Sequence, residues 1–257
     1  MEVSLINFTQ NARELLIFTK NTRHLSGESR FEDVLDMTER AKQEELDYVF
    51  GTISSSWEFV NYTFLLQDVT RSFTHQIIRH RIGFSFAQQS LRVFPAESFK
   101  YLIPDKLEKE KYQLAIYEAT MNQTQENYNL MLEHGVNVQD ARGVLPMNIC
   151  TNIIVGANLR SLSNLMETRL CVRAQGEFQM AAMLMRDLVA DVHPWAERVL
   201  APLCVTKGTC MFPRYECILK GRYKHLNLVD DEISNEVKQS WLKLMESNYS
   251  PQPVQQK

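Results

Sequence analysis

Glycine is scarce in this chain, with nine in 257 residues. No Walker loop and no Rossmann G-x-G-x-x-G occurs, so a phosphate has to be held by side chains and helix ends instead of a glycine cradle. A G-x-S-x-G nucleophile elbow is missing too. Cysteine is sparse: the five Cys, at 150, 171, 204, 210 and 217, form no C-x-x-C and fit reduced thiols in a cytoplasmic protein. Cys204, Cys210, Cys217 and His225 can be strung together as a metal site, but their spacing matches no zinc ribbon or finger, and no metal is expected. No run approaches the ~18 consecutive apolar residues of a membrane span, and the N-terminus has no signal-peptide core. A basic excess is lacking as well. With a net charge of -3 there is no surplus to drive counterion release, which argues against a nucleic-acid binder.

The most informative absence is local. From Thr70 to Arg92 there is no Asp, Glu or Lys, yet four Arg and two His appear, among them the run Arg79-His80-Arg81. The same stretch carries Ile77, Ile78, Ile82, Phe84 and Phe86. Guanidinium on a mostly apolar element is costly without an anionic partner. Arginine without lysine points to planar, bidentate recognition of phosphate or carboxylate. A second lysine-free region runs from Asn137 to Thr206 and holds Arg142, Arg160, Arg169, Arg173 and Arg186.

The hydrophobic pattern predicts an α+β fold, a small antiparallel or mixed sheet packed with long helices. It is read as a single domain over 1–249 with a flexible tail at 250–257. Met1–Phe8 and Phe59–Val69 read as strands, the latter with Val60, Tyr62, Phe64 and Leu66 on one face. Helices are expected over Asn11–Thr19, Glu32–Phe50, Leu107–His134, Val138–Leu145, Asn158–Arg169 and Glu177–Asp191. Thr70 is a candidate N-cap for a helix to about His80, which places Arg71, His75 and Arg79 on one stripe. Gly83 marks a turn before an extended or irregular segment, and Thr151–Ala157 is either a strand or a helix entry.

Guanidinium for phosphate, amide and hydroxyl for ring edges, and imidazole near neutral pH suit a nucleotide better than a bare anion. The plainer alternative is a set of surface arginines paired with acids elsewhere in the chain. Asn158 is equally well an ordinary N-cap, and Arg160 with Glu167 could decorate a solvated face. Ser85 and Ser90 lie near His80 without an orienting acid, a weak basis for a nucleophile pair.

Arg79-His80-Arg81 followed by Ser90 and Arg92 resembles the signature of the flavin-dependent thymidylate synthases. The resemblance extends upstream through Trp57-Glu58, Tyr62-Thr63-Phe64, Arg71 and Gln76. Downstream it takes in Ala141-Arg142-x-x-Leu145-Pro146, Asn158-x-Arg160-Ser161-Leu162, Asn164, Arg169 and Ala174-Gln175-x-Glu177. It implies an α+β homotetramer with active sites shared between subunits and bound FAD. The implied reaction is reductive methylation of dUMP to dTMP, with methylenetetrahydrofolate as carbon donor and NADPH as reductant. By position, Ser55, Arg79, His80, Arg81, Gln88, Asn158, Arg160 and Asn164 would contact FAD. Gln76, Arg79, Gln89, Ser90, Leu91, Arg92 and Arg142 would hold dUMP, and Arg169 would sit at the uracil edge as the catalytic electrostatic group. The flavin carries the redox chemistry, so the protein's task is to bind and orient.

The chain departs from the family pattern in places. The gap from Arg81 to Ser90 is one residue longer than usual, requiring a bulge near Gly83-Phe84. Gln88 stands where an acid is common, Ile53-Ser54-Ser55-Ser56 replaces the usual entry, and Phe59 follows Glu58 in place of a histidine. A related methylase or hydroxymethylase of another pyrimidine nucleotide, or a non-catalytic nucleotide-binding relative, remain alternatives.

Overall fold

The computed structural model describes residues 1–212 apart from 23–29, 53 and 94, together with Arg214 and Cys217. The elements run β1 (Glu2–Phe8), α1 (Ala12–Asn21), α2 (Phe31–Leu35), α3 (Glu39–Phe50), β2 (Asn61–Thr70), α4 (Arg71–Ile77) and β3 (Phe84–Gln88). There follow α5 (Asp105–Glu108), α6 (Lys111–Glu133), α7 (Val138–Ala141), β4 (Cys150–Asn158), α8 (Leu159–Arg169), α9 (Gly176–Val192) and α10 (Leu203–Thr206). Short 3-10 turns occupy Ser54–Phe59, Arg142–Val144 and Pro194–Val199. The fold is α+β, with an antiparallel four-stranded sheet in the order β1-β2-β4-β3. The chain partitions into two compact units.

The first unit comprises Met1–Val3, Leu65–Arg81 and Phe86–Val155. Its core is built from Leu66, Val69, Phe73, Ile77, Met121, Tyr128, Ile149 and Ile153, all buried. Asp68 has a left-handed backbone, φ 52°, near the C-terminal end of β2. The strand's alternation of buried and part-exposed residues breaks there, and Val69 and Thr70 are buried in succession. That change of phase hands the chain to α4, whose N-cap Thr70 accepts a hydrogen bond from the Phe73 N–H at 3.0 Å. The segment after position 94 is fastened to α6. Tyr128 Oη accepts from the Ala96 N–H at 3.1 Å, and Gln125 both accepts from the Phe99 N–H at 2.7 Å and donates to the Ala96 carbonyl at 2.8 Å.

The second unit comprises 4–64, 82–85 and 156 onward. Its helices bury faces at helical spacing: Leu159, Leu162, Leu165 and Met166 on α8, and Phe178, Ala181, Ala182, Met185 and Val189 on α9. α8 packs on α9 and on the Ser54–Phe59 turn, and α1 packs on α3. Among the described residues no helix is long and apolar enough to cross a membrane.

Four helices differ from the pattern reading, the one expected over Val138–Leu145 giving way to a 3-10 turn after Ala141. The helix expected over Glu32–Phe50 is two, because Thr38 caps α3 by accepting from the Ala41 N–H at 3.3 Å. The helix expected over Leu107–His134 is likewise divided into α5 and α6. α4 stops at Ile77, not at His80, so Arg79 leaves the stripe it was expected to share with Arg71 and His75. Thr151–Ala157 lies in a strand. The predicted tail at 250–257 lies outside the described residues.

Candidate active site

In the first unit the arginines converge on one short element. α7 opens at Asn137, whose side chain accepts from the Asp140 N–H at 3.0 Å and donates to the Asp140 carboxylate at 2.7 Å. That turns the acid of α7 toward its own cap. Gln139, between them, faces two arginines. Its side-chain Oε1 accepts from Nε and Nη2 of Arg92, at 3.0 and 2.7 Å. Its backbone carbonyl accepts from Nε of Arg142 at 3.1 Å. Arg71 lies near enough to feel Arg142: burial first, and then that neighbouring charge, push its pKa below the ordinary guanidinium value. Within the described residues none of Arg71, Arg92 and Arg142 forms a salt bridge, so like charges gather here without an acid.

The other predicted residues of this unit frame that cluster in sequence. Ser90 Oγ accepts from the Arg92 N–H at 3.2 Å, a local turn that leaves the hydroxyl proton able to donate outward. The Gln89 N–H donates to the Asn152 carbonyl at 3.0 Å, fixing the chain to β4. Gln88, at the end of β3, donates from Nε2 to Thr74 Oγ1 at 3.1 Å. Leu91 is part-buried, as are Gln76 and His80, while Arg79 and Arg81 are exposed beyond the end of α4.

In the second unit Asn158 is the N-cap of α8, its Oδ1 accepting from the Ser161 N–H at 2.8 Å. Its backbone N–H donates to the Gly83 carbonyl at 3.2 Å. Gly83 has φ +69°, and a Cβ there would lie 2.5 Å from Asn158 Nδ2 and closer still to Ser161 Oγ. Only glycine fits this contact, which presses the turn before β3 against the start of α8. Arg160 pairs with Glu58 at 2.6 Å, and both side chains are about half exposed. Asn164 is exposed on α8, and Ser55 is exposed on the 3-10 turn that α8 packs against. Arg169, in the last turn of α8, lies over the Phe178 ring at 4.3 Å, and burial lowers its pKa. Guanidinium stays charged even so, and the aromatic face holds its plane.

The structure thus brings Arg92 and Arg142 together, and places Asn158 against the glycine turn after Arg81. Arg160 meets Glu58 on an exposed face, as the plainer alternative allows, and Glu167 meets Lys207 at 2.7 Å. Gln139 escaped the sequence reading. It lies 47 positions from Arg92 in sequence, and an uncharged residue in a polar turn carries no signal of its own. Among the described residues no group of three or more His, Cys, Asp or Glu is arranged to hold a metal ion, and His225 lies outside them.

Arginines gathered at a turn without an acidic partner among the described residues suit a group that brings negative charge. Comparison with known proteins makes this specific. Residues 4–195 match the family model described as thymidylate synthase complementing protein. The chain is 34% identical over 209 residues to a flavin-dependent thymidylate synthase of Saccharolobus solfataricus, covering 80% of this chain and 78% of that protein. It is 29% identical over 257 residues to the flavin-dependent thymidylate synthase of Pyrococcus abyssi, covering 96% and 98%. The chain belongs to the flavin-dependent thymidylate synthase family, and it is an enzyme of that methyl-transferring class.

Proposed function

We propose that this enzyme converts dUMP to dTMP by reductive methylation, with FAD as cofactor and NADPH and methylenetetrahydrofolate as co-substrates. The observation that carries the reading is the acid-free cluster of Arg71, Arg92 and Arg142, with Ser90 beside it in sequence. A nucleotide monophosphate supplies the charge this cluster lacks, through bidentate guanidinium contacts and the Ser90 hydroxyl. Gln76, Gln89 and Leu91 complete the dUMP contacts, with Arg79 reaching both ligands.

The donor set also fits a flavin dinucleotide. Arg79 and Arg81 are exposed and form no ion pair within the described residues, as a pyrophosphate requires. His80, Gln88, Asn158, Arg160, Asn164 and Ser55 would supply the remaining polar contacts. Asn158 keeps its Nδ2 donor for this purpose, since only its Oδ1 serves the helix cap. Arg160 would exchange Glu58 for the ligand, a change that costs little because an exposed pair is worth about 0–1 kcal/mol. Bound FAD supplies the hydride and the methylenetetrahydrofolate the carbon. The protein's own chemical contribution is Arg169, a fixed positive charge that stabilises the negative charge developing on the uracil ring as C5 becomes nucleophilic. Ser90 is a ligand, and no covalent role is assigned to it.

A homotetramer with shared active sites and a cytoplasmic location belong to the same proposal, and light scattering measures the first. Purified protein is expected to be yellow and to form dTMP from dUMP when given NADPH and methylenetetrahydrofolate. A colourless protein that takes up no FAD overturns the reading. A product mass matching a hydroxymethyl or another pyrimidine nucleotide replaces the substrate and product assigned here.

A further inference from the structure

We propose that Gln139 is a positioning residue that sets Arg92 and Arg142 as one clamp, and that its neutrality reserves the clamp's full charge for a dianionic phosphate. The inference rests on the nucleotide reading above and concerns a residue outside the family motifs. One residue holds both guanidiniums. Its amide oxygen takes the Nε and Nη2 edge of Arg92, and its carbonyl takes the Nε of Arg142. Arg92 is thus fixed by one edge and Arg142 through its Nε, and their remaining N–H groups are left for a ligand.

The identity of the acceptor matters. A carboxylate in this position would form stronger, charge-assisted bonds to Arg92 and would cancel part of the local charge. The amide orients without cancelling. The nearest acid in the element, Asp140, is occupied by the N-cap residue Asn137. Arg71 shows the consequence, with a pKa pushed down by burial and by the uncompensated charge of Arg142. The resting protein bears this repulsion, and a bound dianion relieves it. Discrimination between nucleotide and nucleoside then follows from the arrangement: a ligand lacking the phosphate gains nothing from the clamp.

The test uses the FAD-loaded enzyme with Gln139→Ala and Gln139→Glu, alongside Arg92→Ala and Arg142→Ala as references. Gln139→Ala is expected to raise the dUMP KM about tenfold, the scale of a lost hydrogen bond to a charged group. Its kcat should stay within about twofold, since the reacting ring is untouched. Binding of deoxyuridine, which lacks the phosphate, should be unchanged, as should the Tm. Gln139→Glu should keep Arg92 oriented yet weaken dUMP binding, with a flatter dependence of Kd on salt than the native enzyme shows. Equal losses for dUMP and deoxyuridine would reduce Gln139 to a structural part and overturn the proposal. So would a Gln139→Ala enzyme with native dUMP affinity while the arginine variants are impaired, although that outcome leaves the nucleotide reading standing. If the arginine variants also bind dUMP normally, the assignment of this cluster to the phosphate fails, and the role of Gln139 fails with it.

Discussion

At the scale of single residues, the site depends on positions that tolerate almost no change of shape. Gly83 combines a left-handed backbone with contact against Asn158 and Ser161. Gly83→Ala meets both obstacles at once, and a strained residue of this kind costs about 1–3 kcal/mol. The expected result is a lower Tm with reduced FAD retention, measured by thermal melting and by flavin absorbance after gel filtration. An unaltered Tm would mean that the turn relaxes freely. In the role proposed for it, Arg169 presents the opposite case, a residue whose shape matters less to stability than its charge does to the reaction. Arg169→Ala gives up the stacking on Phe178, yet its main effect falls on kcat, with a loss of at least ~100-fold expected for a removed electrostatic stabiliser. FAD content and dUMP affinity measured beside kcat separate this from simple misfolding. Near-native turnover would remove Arg169 from its assigned role.

At the scale of elements, Asn158 has one role that the structure shows and one that is proposed. It is the N-cap of α8, as its sequence position allowed, and its amide nitrogen is still turned toward Gly83. Substitution can separate the two functions. Asn158→Ala should destabilise by about 0.5–2 kcal/mol, the range for a lost cap. Asn158→Asp retains the capping oxygen and removes the amide donor, so stability should hold in a urea melt while FAD affinity falls. If both variants bind FAD as the native enzyme does, Asn158 serves only the helix. Other elements show what local patterns can and cannot reveal. The alternation of Tyr62, Phe64 and Leu66 disclosed β2, and the cap at Thr70 disclosed the start of α4. The end of α4 was not legible, because the last i→i−4 bond, from the Ile78 N–H to Thr74, is followed by tighter i→i−3 bonds from Arg79 and His80 that no side-chain pattern marks. Thr38 was an unread cap inside a continuous amphipathic pattern, which is why one expected helix became two. The motif arginines stood out through the absence of lysine and acids around them. Gln139 did not, since its role arises only when residues distant in sequence meet.

At the scale of the whole molecule, the pH dependence of stability should trace to a buried pair outside the site. His193 ends α9, and its Nδ1 shares a hydrogen bond of 3.0 Å with Tyr62 Oη on β2. Its ring stacks on Trp195 at 5.1 Å and meets Phe8 edge-on at 5.4 Å. Burial lowers the His193 pKa, and the charge of Glu14 offsets this only in part. Burial also raises the pKa of Tyr62, so the phenol stays neutral. A histidine with a depressed folded pKa binds protons more readily when unfolded, so stability rises with pH across the window between the two pKa values. The contribution of His193 is therefore fully present above the unfolded value of about 6.5 and is lost as pH falls below it. Glu14 acts lower on the scale. Burial raises its pKa, but hydrogen bonds from its own backbone, Arg13 and Lys42 outweigh that and hold it below 4.5. The two groups thus act in separate ranges. Melting curves collected from roughly pH 7.5 down to pH 5 should show a falling Tm in the native protein, across the range in which histidine side chains ordinarily titrate. In His193→Gln, whose amide can still bond Tyr62 but cannot take a proton, the slope should flatten over the same range. A variant that keeps the native slope would assign the loss to other groups and leave His193 a packing residue alone.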